Sequence, residues 1–274
     1  MFVPILVSLL PGPVVHPQDE LSPPEPPLIK TRPYSLFNPS PRDRLRPLSA
    51  DRPDTTESAI TVDAGHYQFE VSLGDWARER REDVFIALQM NAKVGLTESI
   101  DLQLVFDSYV LEDSPDGEDG EGFGDFLIRT KLNVWGNDGG PSAFAFFPYI
   151  KIPTGSDVSN DELEGGLILP YARSLTDTLD LGLMAQFDAV YDEEEDDHDL
   201  EFLHTAVLGA PIAGDWGAFY EYVGIAAEDD YTASFNVGIT NQPTPNLLLD
   251  AGVRVGITDD ADDLGIFLGF TARY

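Results

Sequence analysis

Residues 231–240 read YTASFNVGIT. Tyr231, Ala233, Phe235, Val237 and Ile239 alternate with Thr232, Ser234, Asn236, Gly238 and Thr240. A period of two gives a strand one apolar face and one small, polar face. The closing stretch does the same, with Ile266, Leu268, Phe270, Ala272 and Tyr274 set against Gly265, Gly269, Thr271 and Arg273. Between them, Leu249, Ala251, Val253 and Val255 oppose Asp250, Gly252 and Arg254. Upstream, Val84, Ile86, Leu88, Met90, Ala92 and Val94 oppose Gln89, Asn91 and Lys93. No comparable window shows helical spacing, so the expected class is all-β.

Working outward, alternation and turn residues predict about twelve strands, at 66–77, 83–96, 100–111, 123–136, 142–153, 164–175, 179–191, 200–212, 216–227, 231–240, 247–257 and 264–274. Three of them (164–175, 200–212 and 216–227) alternate poorly, and their facing is left open. Lengths of 10–14 residues exceed the usual strand of a soluble sandwich and match a tilted strand crossing hydrocarbon.

The connections differ by parity. Those at 97–99, 137–140, 176–178, 214–215 and 241–246 are short and turn-like. The alternate ones, at 78–83, 112–121, 156–164, 192–199, 228–230 and 259–263, are longer or strongly charged, and the last five hold 24 of the 49 acidic residues. An up-and-down barrel places alternate connections on opposite rims, so acid gathers at one rim, as in outer-membrane barrels with short periplasmic turns and long external loops. A soluble lipocalin-like barrel would alternate too, but its apolar face would point inward. Here six basic residues of the body (Lys93, Arg129, Lys131, Lys151, Arg254, Arg273) share one face with Asp101, Gln103, Asp107, Asn133, Asp180, Asp188 and Asp250. That face predicts a wet lumen. Lys93, Asp101, Asp107, Arg129, Lys131, Lys151, Asp188, Asp250 and Arg254 are the expected selectivity residues.

Charge and proline divide the chain near residue 50. Thirteen of the 21 prolines lie in residues 1–53, a nearly neutral stretch, whereas the remainder carries 44 acidic against ten basic residues. The net charge of −33 excludes a nucleic-acid partner, which needs a basic face. The absence of cysteine excludes thiolate chemistry and disulfides. Residues 1–17 begin with MFVPILVSLL, which fits the apolar core of a secretory signal, although no Lys or Arg precedes it and Pro4 interrupts it. Residues 18–60 form a proline-rich periplasmic arm, extended and polyproline-like over 18–48, and 61–274 form the barrel.

The block DRPDTTE at 51–57 precedes the first strand. It supports two readings: a flexible periplasmic leader, or a plug in which Asp51, Arg52, Asp54 and Glu57 pair with inward charges such as Arg129, Lys131 or Arg254.

Catalytic constellations are thin, and the expected class is not an enzyme. His204 leaves room for a lipase-like barrel, but no serine is placed beside it by spacing. His66 and His198 read as a strand end and a loop residue. The acidic run Asp192, Glu193, Glu194, Glu195, Asp196 and Asp197 lacks the glycine-punctuated spacing of a calcium loop, so diffuse binding of divalent cations is expected there. Neither a dedicated metal site nor a cofactor is expected.

Several stretches carry a resemblance. RPLSADRPDTTES (46–58) followed by TVDAGHYQFE (61–70), then GFGD (122–125), KLNVWG (131–136), PYIKIP (148–153), GGLILP (165–170), LDAGV (249–253) and FTARY (270–274) resemble a family of outer-membrane transporter-like proteins named for a meta-pathway of phenol degradation. The resemblance covers residues 46–274. It implies an antiparallel up-and-down barrel in the cell outer membrane that passes small molecules, among them hydrophobic or aromatic compounds. Outer-membrane lipid and the barrel-assembly machinery are the partners such a chain requires. From another functional class, a non-conducting surface barrel whose acidic external loops bind divalent cations or a partner fits the same sequence.

Overall fold

The computed structural model describes residues 33–114, 119–192, 196–228 and 230–274. Twelve long strands close into one antiparallel ring: β1 (Tyr67–Glu79), β2 (Glu82–Gly95), β3 (Ile100–Asp113), β5 (Phe126–Trp135), β6 (Ser142–Ile152), β7 (Glu164–Thr176), β8 (Leu179–Asp192), β9 (Asp197–Ala213), β10 (Trp216–Ala226), β11 (Tyr231–Thr244), β12 (Leu247–Gly256) and β13 (Leu264–Arg273). Each pairs with its neighbours in sequence, and β1 pairs with β13 to close the ring. A thirteenth strand, β4 (Gly120–Gly122), extends the wall by pairing with the far end of β3. The twelve strands expected from alternation are present within a few residues of their expected ends; β4, three residues within the long acidic connection after β3, is too short to show alternation.

Closure satisfies the edges of the twelve long strands, a requirement for any sheet that spans lipid. The outer wall is apolar: Leu104, Ile128, Ile150, Leu183, Val237, Ile239, Val253 and Leu268 are exposed. Aromatic rings sit toward both ends of this wall, Tyr67, Trp135, Trp216 and Tyr274 at the rim of short turns, and Phe85, Tyr109 and Tyr231 toward the opposite, loop rim. An apolar belt flanked by aromatic girdles on an even-stranded closed barrel is the form that outer membranes accept. The chain is a transmembrane barrel of the outer membrane.

Two expectations about facing are corrected. The apolar set Val84–Val94 does not lie on one face: Leu88 adopts φ 55°, and the alternation changes phase there. Phe85 and Leu88, three residues apart, are consequently both exposed. The pairing of β1 with β13 shifts at the same level, between Ser72 and Gly74. Such bulges re-aim side chains without breaking the wall. Secondly, the inner face is not uniformly polar. Phe147, Ile168 and Met184 form a buried inner cluster with Tyr149 and Leu203 against it, and Val207, Phe219 and Phe267 form another. β7 and β9 therefore have apolar residues on both faces, which is why their alternation is weak.

The arm also departs from a simple extended linker. Within its described part, Leu36 N–H donates to Leu96 O at 2.8 Å, Ser40 N–H donates to Ala64 O at 2.9 Å, and Arg42–Arg44 form a 3₁₀ turn. Residues 1–32, and with them the signal reading and the first part of the arm, lie outside the described residues.

Candidate functional site

Residues 46–66 enter the ring without regular secondary structure. Every backbone N–H of such a strand-less stretch needs a partner, and in a lumen only inward side chains can supply it. Carboxylates do so. Asp51 N–H and Arg52 N–H donate to Glu70 of β1 at 3.0 and 3.1 Å. Thr55 N–H and Thr56 N–H donate to Glu221 of β10 at 2.9 and 2.7 Å. Val62 N–H donates to Asp101 of β3 at 2.9 Å. The Thr56 hydroxyl meets Thr205 and Glu221 at 2.5 and 2.6 Å.

Ion pairs reinforce these bonds. Asp51 accepts from both Lys93 and Lys131, whose side chains are only 2% and 1% exposed. Lys93 also pairs with Glu70. Glu57 pairs with Arg129 at 2.5 Å. Arg52 reaches across to Asp250 with two donors, Nη2 at 2.7 Å and Nε at 3.2 Å, the bidentate geometry that suits a guanidinium to a carboxylate. Where the segment returns to the turn rim, Asp63 takes Arg46 at 2.8 Å and Arg273 at 3.3 Å. Arg129 and Lys131 also stand over the Phe147 ring, each 4.7 Å from its centroid, a cation–π contact that joins the ionic side of the lumen to its apolar side.

The charges set one another. Burial alone would raise the Asp51 carboxyl, but Lys131, Lys93 and Arg129 together hold it well below the usual range. Burial pushes Glu57 up to about 7, with Asp51 adding to the effect and Arg129 opposing it. Burial, Glu221 and Glu57 hold Asp54 well above its ordinary value.

Of the nine lumen residues expected from sequence, Lys93, Asp101, Arg129, Lys131 and Asp250 bond the inserted segment directly. The other four point inward but find different partners. Asp107 accepts from Gln89 at 2.8 Å, and Asp188 accepts from Tyr149 at 2.6 Å and from Gln186. Lys151 pairs with Glu164 at 2.5 Å near the loop rim. Arg254, named beforehand as a partner of the 51–57 block, pairs instead with Asp75 at 2.8 Å and Asp262 at 3.6 Å.

Glu70, Glu221, Asp63 and Arg46 were missed. Glu70 was legible, since Gln68, Glu70 and Ser72 alternate with Phe69 and Val71. Glu221 sits in a strand with small or aromatic residues on both faces, which concealed it.

His204 lies on the outer wall, stacked on Phe202 at 5.2 Å and within 3.2 Å of the Tyr231 hydroxyl. Its ring belongs to the aromatic girdle. Of the acidic run at 192–197, Glu193, Glu194 and Glu195 fall outside the described residues. Among the described residues no group of three or more His, Asp or Glu is arranged to hold a metal ion.

The fold has solved counterparts. The NanC porin matches with a TM-score of 0.53 at 10% identity, over 74% of this chain and 98% of that one. The KdgM porin matches at 0.46 and 10% identity over 76% and 96%, and an anion-selective porin from Comamonas acidovorans at 0.39 and 6% over 76% and 98%. At 10% identity the likeness to the NanC porin is one of barrel fold alone. No curated relative matches the sequence. A family model does, over residues 50–274, taking in most of the inserted segment as well as every strand, and the chain belongs to the family described as Putative MetA-pathway of phenol degradation.

Proposed function

We propose that this protein is a passive outer-membrane channel for small solutes, with the loop rim facing outward and residues 46–66 acting as a resident plug that narrows the lumen. Lys93, Asp101, Arg129, Lys131 and Asp250 hold that plug, while Asp107, Lys151, Asp188 and Arg254 tune what passes beside it. The observation that carries the reading is the inserted segment itself: its backbone and charges are matched by inward side chains from β1, β2, β3, β5, β10 and β12. A sheet that only needed to be stable in lipid could fill its interior with apolar side chains. This one uses buried lysines and carboxylates to hold a segment of chain that belongs to no strand. Liposome swelling with a panel of sugars, amino acids and aromatic acids tests the channel. Swelling by a size-limited subset is expected, and none from inserted protein overturns it. Deleting residues 46–58 should raise single-channel conductance and lower thermal stability; if both stay unchanged, the plug reading fails.

The same occupied lumen favours one rival. A barrel whose interior is filled could serve as a non-conducting surface protein, its acidic rim binding divalent cations or a partner. Planar-bilayer recording separates the two, because the rival gives no unitary currents from correctly inserted protein.

A further inference from the structure

The inserted segment leaves space beside it, and that space is arranged in series. A cavity of about 780 Å³ opens at the turn rim between the ends of β8 to β12. A second of about 260 Å³ lies at mid-height, and a third of about 290 Å³ lies at the loop rim. Pro53 and Asp54 line both the first and the second. Thr55 and Arg254 line both the second and the third. Three consecutive residues, 53–55, thus border all three of these cavities from one rim to the other.

The middle cavity is lined by polar atoms that lack partners. Asn91 Oδ1, Asn236 Oδ1 and Arg129 Nε are buried and unbonded, in side chains of residues only 8%, 2% and 7% exposed. Buried polar atoms are ordinarily satisfied by protein or by water, so this lining suits a hydrated or polar guest. Around Asp54 every nearby cation is already engaged: Arg52 by Asp250, Arg129 by Glu57, Arg254 by Asp75. Asp54 itself has no ion-pair partner among the described residues. The charged residues lining the turn-rim cavity are Asp54, Asp180 and Asp215, with no base among them, and Leu181, Val207 and Phe219 supply apolar wall.

We infer that solutes cross with the segment still docked, along residues 53–55, and that Asp54 is the specificity-determining residue of this path, admitting small cations, including compact organic ammonium ions, over anions. The inference rests on the channel reading above and deepens it. Burial, Glu221 and Glu57 raise the Asp54 carboxyl, so it carries its charge toward alkaline pH. There a lone carboxylate at a constriction acts on permeant charge as the acidic rings of cation channels do, and the acidic loop rim raises the local cation concentration at the outer entrance. The apolar walls of the turn-rim cavity accommodate the alkyl part of an ammonium ion while Asp54 meets its charge.

Reversal potentials in a potassium chloride gradient across planar bilayers, recorded with the full chain from slightly acid to alkaline pH, test the inference. The wild type should prefer potassium to chloride, and the preference should strengthen from acid to alkaline pH as the raised Asp54 carboxyl ionises. Asp54→Asn should lower that preference by about three- to tenfold, and Asp54→Lys should turn it toward chloride. Because the chain contains no cysteine, Asp54→Cys offers a second measurement: cationic methanethiosulfonate should block its current, and the same reagent should leave a lipid-facing Val237→Cys variant unaffected. Heat-modifiable migration confirms that each variant is folded. Currents whose ion preference ignores all Asp54 variants, with Asp54→Cys unreactive, overturn this inference and leave the channel standing. Absence of any current from the inserted wild type overturns the channel reading and this inference with it.

Discussion

At the residue scale, the inserted segment hangs on a few charges whose loss is asymmetric. Asp51 joins Lys93 and Lys131, and removing one member of a buried ionic group leaves the others desolvated and uncompensated, at a cost of about 3–5 kcal/mol. Asp51→Asn should therefore undock the segment, seen as protease cleavage within 46–66 of a barrel that still migrates as folded. Wild-type resistance in that variant would contradict the assignment. Glu57 responds to pH with the opposite sign. Its carboxyl titrates near 7 when docked, against an ordinary 4.5, so the docked state binds the proton more tightly. Its contribution is fully present below about 4.5 and is lost as pH rises through 7. Asp51 is held low, so its contribution persists above its ordinary 3.8 and fades only in stronger acid. Docking should thus be tightest in mild acid and loosen toward neutrality. Hydrogen exchange of residues 46–66 measures this, and Glu57→Gln should reduce the change between pH 4.5 and 7, leaving the part that the raised Asp54 carboxyl contributes with the same sign.

At the scale of elements, what the sequence revealed depended on whether the two faces of a strand differ. β11, β12 and β13 were legible because lipid demands apolar residues outward while the lumen carries Asn236, Asp250 and Arg273 inward. β7 and β9 were not, because Ile168 and Val207 pack inward beneath the segment and make both faces apolar. The phase change at Leu88 was invisible, since a single residue with positive φ leaves no compositional trace. The charged block at 51–57 was visible, and its lysine and arginine partners were on the correct face, but its contact with Glu221 depends on a register that only the closed ring fixes. The faces themselves make a sharp test on β11. Val237 is exposed on the outer wall and its neighbour Asn236 is 2% exposed within. Val237→Lys, near mid-strand, should cost about 2–4 kcal/mol of folding into bilayers. Ser234→Lys, on the inner face, should leave insertion intact and alter conductance. Folding titrations in urea with lipid vesicles read the first effect, and equal penalties for both substitutions would contradict the assigned faces.

For the whole molecule, the charge of −33 is two populations under different physics. One is the acid of the loop-rim connections, where Asp259, Asp260 and Asp263 carry no buried partner and stand in solvent. The other is the lumen, where Lys93, Lys131, Asp51 and Glu70 are each less than a tenth exposed. The ionic atmosphere of bulk salt screens the first strongly and the second weakly. The screening length falls from about 10 Å at 0.1 M salt to about 3 Å at 1 M, so the field that gathers cations at the loop rim collapses over that range. The buried pairs sit too close together and too far from solvent to follow it. Ion preference and stability should therefore part company as salt rises. The potassium-over-chloride permeability ratio should decline toward a floor set by the lumen alone, and the midpoint of thermal unfolding should stay within a few degrees. Neutralising Asp259, Asp260 and Asp263 together should move the low-salt ratio part of the way toward the high-salt one without moving that midpoint. If instead the midpoint falls along with the ratio, the lumen charges are open to bulk ions and the segment is not seated as described.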